Sequence, residues 1–148
     1  MYSKCRKFIL IAIIFLMPVA SVGQETENKI HDFYGLYYCD QDDHLALVIS
    51  PDGKPIPPKL NDPDAPTKPG LYLDQQRFDF ARSRFSSEGF FFRTKKINGA
   101  LYSFRGRFGR EEVEAIPDVP YIAGTLREVR NGHLVRKVHV HFGHAVIL

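Results

Sequence analysis

The sequence predicts an all-β fold: a single small antiparallel meander, closed or partly open as a barrel, preceded by a signal peptide. Three observations predict it. From residue 33 onward, turn signals recur about every ten residues, with aromatic and β-branched runs between them. No stretch carries apolar residues at three-and-four spacing over three turns, as an amphipathic helix would. Two Asn-Gly pairs each join a pair of strand-like runs. A two-sheet β-sandwich is the alternative arrangement; a barrel is favoured because it leaves no sheet edge to protect.

The N-terminus reads as a targeting segment. Lys4, Arg6 and Lys7 form a positive region, residues 8–16 are unbroken apolar, and residues 17–23 turn small and polar around Ser21 and Gly23. That is the layout of a secretory signal peptide over residues 1–23, followed by a polar leader at 24–32. The apolar run stops at Pro18, short of the ~20 residues a membrane span needs, so no stable span is expected after cleavage. The expected compartment is periplasmic or extracellular. The chain has 20 Lys+Arg against 17 Asp+Glu, and removing the segment's three basic residues leaves 17 against 17. The apparent basicity therefore belongs to the targeting segment, and the balanced remainder suggests neither nucleic acid nor anionic membranes as partners.

The remaining residues, 33–148, form one domain large enough to bury a core. It keeps one cysteine, Cys39, in the apolar run FYGLYYC, where a free thiol behaves as a small hydrophobe. No intramolecular disulfide is available to it once Cys5 has left with the signal.

In chain order, residues 33–39 and 44–49 read as a strand pair around the acidic loop 40–43, taken as a solvated tip. Residues 54–69 carry six prolines, which cannot donate to a ladder, and read as a long surface loop. Residues 70–73 and 77–85 supply one or two more strands, for a total of seven or eight. Residues 110–114 suggest a short helical turn closed off by Pro117 and Pro120.

Asn98-Gly99 and Asn131-Gly132 supply the two positive-φ residues of a type I′ turn and so set a register. Around the first, Phe92 would oppose Arg105 and Phe90 would oppose Arg107, with Phe91 covering Gly106. Tyr102, Phe104 and Phe108 would face the core. Around the second, Gly124 would oppose His139 and Ile122 would oppose His141, on the polar face of that hairpin.

Two groups of residues carry chemistry. His139 and His141 share one strand face, as two ligands of one metal must, and His144 joins them if Gly143 introduces a bulge. The expected alternation places Val138, Val140 and Phe142 inward and the imidazoles outward, a solvated face. The second group is arginine interleaved with phenylalanine. If Arg93, Arg105, Arg107, Phe90 and Phe92 lined a cavity, they would suit a carboxylate- or phosphate-bearing ligand with an apolar body. No nucleophile elbow, paired-carboxylate constellation or phosphate-cradling glycine loop is present in the sequence. The functional expectation is therefore a non-catalytic, exported β-domain that binds a small molecule or a protein partner, with no cofactor. The competing reading is a metal-dependent protein holding zinc or iron at the His-x-His strand, with a third ligand from another strand.

Overall fold

The computed structural model describes residues 33–50, 52–58, 62–86 and 88–145. The expected signal peptide and polar leader lie outside the described residues. The described chain is all-β: β1 (Gly35–Cys39), β2 (Asp42–Ile49), β3 (Gly70–Leu73), β4 (Gln76–Phe78), β5 (Phe80–Ser86), β6 (Gly89–Thr94), β7 (Ala100–Val113), β8 (Ile116–Arg130) and β9 (His133–His144). These nine strands make one antiparallel sheet in the order β4-β3-β2-β1-β9-β8-β7-β6-β5. No helix among the described residues is long and apolar enough to cross a membrane.

The topology is an up-and-down ring. β9 returns to pair with β1, and the sheet's two ends are the consecutive strands β4 and β5, interrupted only at Asp79. β4 pairs with β3 and β5 with β6, while the Asp79 carbonyl accepts the Lys95 N–H at 2.8 Å. Covalent continuity thus joins what would otherwise be two open edges, and the barrel is nearly closed. The expected barrel holds, with nine strands in place of seven or eight because one strand is broken in two.

The interior is filled with rings. Tyr37, Phe78, Phe90, Phe92, Tyr102, Phe104 and Phe142 are all buried with Leu45, Leu47, Ile49, Leu71 and Ile122. Their contacts run in a chain, from Phe90 on Phe92 at 5.6 Å, through Phe104 at 5.5 Å, to Phe142 at 5.7 Å. A second cluster lies outside the ring: Leu36, Ala46, Val48 and Ala65 are buried with Ile56 and Tyr72 against them. The proline-rich loop therefore covers the outer face of β1–β3, which is why the run Leu45–Ile49 is apolar at every position.

Both Asn-Gly turns form with positive φ at each central residue, at 49° and 80° for the first and 49° and 86° for the second. Both registers then slip by one residue. Ile97 opposes Ala100 as expected, but Arg93 opposes Ser103 and Phe92 opposes Phe104. Lys95 and Lys96 together face Leu101, and the buried Thr94 hydroxyl accepts the Tyr102 N–H at 2.9 Å. In the second hairpin Val129 opposes Leu134, but Glu128 opposes Arg136, with Val135 bulged out. A bulge moves every residue beyond it to the other partner. Phe90 and Phe92 consequently point inward, away from Arg105 and Arg107, and the expected Phe–Arg pairs do not form. Phe90, not Phe91, opposes Gly106, and the ring lying over Gly106 is that of Phe104. Ile122 is a core residue, not part of a polar face, and Leu126 is buried with it.

Two further expectations are corrected. Residues 110–113 continue β7, and Glu114-Ala115 is a hairpin turn with φ of 49° and 65°, not a helical one. Pro117 and Pro120 sit within β8, where β9 pairs with it only from Tyr121 onward, so that stretch has an open side that needs no N–H donor. The acidic stretch 40–43 is not a free tip. Asp42 and Asp43 open β2, Asp42 lies 3.8 Å from Arg136, and Asp40 reaches β9.

Candidate functional site

The histidine strand behaves as its alternation predicts. Val138, Val140 and Phe142 face the core, and His139 and His141 face outward opposite Thr125 and Ala123. His144 has the opposite parity, and no bulge at Gly143 rescues it: Tyr121 opposes Gly143 in unbroken register and Tyr37 opposes His144. The His144 ring closes the barrel end edge-on to Tyr37 at 5.0 Å, with Nε2 3.4 Å from the Tyr34 carbonyl. The three imidazoles are not brought together. Among the described residues no group of three or more His, Cys, Asp or Glu can hold a metal ion.

His141 does gain carboxylate neighbours from other strands. Nδ1 contacts the Asp40 carboxylate, Nε2 lies 3.6 Å from Glu111, and the ring is 4.6 Å from Tyr121. The β1–β2 turn is stitched here: Asp40 N–H donates to the His141 carbonyl at 3.0 Å, and His141 N–H donates to Gln41 Oε1 at 2.9 Å. The Cys39 thiol also donates to Gln41 at 3.4 Å. The two carboxylates address different ring nitrogens, so the cluster is a bridge between β1, β7 and β9 and not a shared ligand set.

The arginine group divides between the two faces. Phe90 and Phe92 are core residues, whereas Arg93, Arg105 and Arg107 are exposed on the outside of the barrel. There they meet Arg82 and Arg84 of the same arginine-rich run, and also Arg127 and Lys137, which the sequence did not group with them. Cross-strand register places Arg82, Arg93, Ser103, Arg127 and Lys137 in one row over β5–β9. The next row is Arg84, Phe91, Arg105, Thr125 and His139. Arg107 lies in the third row, between Gly89 and Ala123. At strand and residue spacings, these rows cover about 19 Å by about 13 Å.

Arg82 faces Arg93 directly, and Arg127 faces Lys137 directly, like-charge neighbours that weaken a sheet. None of these arginines, nor Lys137, is in an ion pair among the described residues. Two shallow grooves of roughly 310 Å³ each cross the face. One is lined by Phe91, Ser103, Arg105, Thr125 and Arg127. The other includes Arg84, Arg105 and Arg107, with Glu88 as the carboxylate on its rim. The equal count of basic and acidic residues over residues 24–148, 17 of each, thus conceals a segregated charge.

No protein-family model, curated protein or solved structure matches the chain.

Proposed function

We propose that this protein is a non-catalytic, exported binding domain that takes an anionic ligand on the outer face of β5–β9. The observation that carries the reading is the pairing of like charges: Arg82 against Arg93 and Arg127 against Lys137, with no carboxylate interleaved in the rows. A sheet face selected for stability alone would alternate the signs. Guanidinium groups beside the Ser103 and Thr125 hydroxyls suit phosphate, sulfate or carboxylate oxygens, and Phe91 supplies an apolar floor. The aromatic filling of the interior argues for binding outside the barrel and not within it. Isothermal titration with soluble inorganic polyphosphate tests the reading. Binding that weakens steeply with salt and is lost in Arg105→Glu/Arg127→Glu is expected; binding unchanged by that double substitution would sink the proposal.

A further inference from the structure

The cationic face ends in apolar side chains, and the arrangement suggests which anionic partner it meets. Register aligns Leu101, Val129 and Leu134 on the outer face of β7, β8 and β9, one row nearer the hairpin ends than Arg93, Arg127 and Lys137. The bulge after the Asn131-Gly132 turn adds Val135, so two consecutive apolar residues are presented where a regular strand would present one. Leu134 is 57% exposed and Val135 53%, the largest exposures among the large hydrophobic residues described.

The position of this tip is as informative as its composition. β9 pairs with β1 only at Phe142–His144, so beyond its contact with the β1–β2 turn the β8–β9 hairpin projects from the barrel. Its end is braced by the neighbouring β6–β7 turn, where the Gly99 carbonyl accepts the Asn131 N–H at 3.0 Å. His133 and Arg130, the latter paired with the Glu128 carboxylate, flank the apolar pair on the same tip. An exposed apolar edge backed by a band of basic residues is the pattern of a surface that lies in a membrane interface. The edge enters the headgroup boundary while the cations meet phosphates. A soluble polyanion would use the arginines but has nothing to offer Leu134 and Val135.

We infer that the β5–β9 face and the β8–β9 tip dock on an anionic phospholipid bilayer, with Leu134 and Val135 entering the headgroup region and Arg93, Arg105, Arg127 and Lys137 contacting lipid phosphates. This rests on the anion-binding reading above and narrows it to one partner. The test is co-sedimentation with vesicles of phosphatidylglycerol and phosphatidylcholine, against pure phosphatidylcholine. The intact protein is compared with Leu134→Ser/Val135→Ser and with Arg105→Glu/Arg127→Glu. All share one N-terminus, so any contribution of residues 8–16 cancels. Binding to the anionic vesicles alone is expected, falling as salt rises from about 0.1 to about 1 M and the screening length shrinks from about 10 to about 3 Å. The charge-reversed protein should partition at least about 25-fold less, about fivefold for each basic residue removed from an anionic surface, with repulsion of the two new carboxylates in addition. The Leu134→Ser/Val135→Ser protein should lose about tenfold on vesicles and keep its affinity for soluble polyphosphate. Retained polyphosphate binding with vesicle binding absent, or indifferent to Leu134→Ser/Val135→Ser, overturns the membrane inference and leaves the anion reading standing. Failure to bind either probe overturns both.

Discussion

Thr94 shows how one side chain can hold a register together. Where β6 bulges at Lys95 and Lys96, the Tyr102 N–H loses its place in the ladder, and the Thr94 hydroxyl accepts it inside the barrel. Thr94→Val keeps the shape and removes the acceptor. Leaving a buried N–H unsatisfied should cost about 1–3 kcal/mol, read as a lower urea midpoint with an unchanged m-value. Cys39 illustrates the opposite situation, a reactive group made inert. It is 3% exposed, and burial pushes its thiol pKa up, so the neutral form persists above the usual thiol range. A thiolate-directed disulfide reagent should label the native protein slowly and the urea-unfolded protein fast; equal rates would show that the thiol is accessible.

At the scale of the element, two hairpin turns carry residues that suit them and a third does not. Asn-Gly fits the two left-handed positions of a type I′ turn, whereas Glu114 and Ala115 adopt the same positive φ with a Cβ in the way. Ala115→Gly should therefore stabilise the protein by about 1 kcal/mol, seen as a higher thermal midpoint. Glycine has a second use where β7 and β8 curve. A Cβ on Gly124 would collide with the Arg105 carbonyl and the Gly106 Cα, atoms of the backbone that cannot swing aside. Gly124→Ala should cost about 1–3 kcal/mol or more, by the same denaturation measurement.

The sequence made the two Asn-Gly turns legible and their bulges illegible. A turn dipeptide specifies its own φ values, and it does not specify where the ladder next breaks. The break beside Lys95 forms because the Lys95 N–H is taken by the carbonyl of Asp79, the residue at the β4–β5 corner. The slip then transfers every residue beyond it to a new partner. That is why Arg105 and Phe92 were expected as neighbours and lie on opposite faces. Alternation within a strand survives such a slip, so Val138, Val140 and Phe142 were correctly assigned to the core.

Across the whole molecule, this slip and the bulge at Val135 together gather charge. Once Arg82, Arg93, Arg127 and Lys137 share a row, the outer face stores like-charge repulsion that no single strand reveals. Arg93→Glu would set a carboxylate between Arg82 and Ser103 and should stabilise the fold by about 0.5 kcal/mol at low salt, an advantage that fades as salt screens it. Finding Arg93→Glu destabilising at low salt would show that the row is not under electrostatic strain. Cleavage after Gly23 is a prediction at this scale as well, since loss of residues 1–23 would change the net charge from +3 to balance. Mass spectrometry of the protein recovered from an exporting host should find Gln24 as its first residue.

Taken alone, the sequence determined the fold class, the two type I′ turns, the burial of Cys39 and the outward face of His139 and His141. Each of these depends on local periodicity or on the φ preferences of adjacent residues. Only the tertiary structure decided that Asp40 and Glu111 meet His141, that β4 and β5 close the ring, and that the basic residues share a face beside Leu134 and Val135. Those outcomes depend on cross-strand register, and register was set by hydrogen bonds such as Lys95 to Asp79 that link residues far apart in the chain.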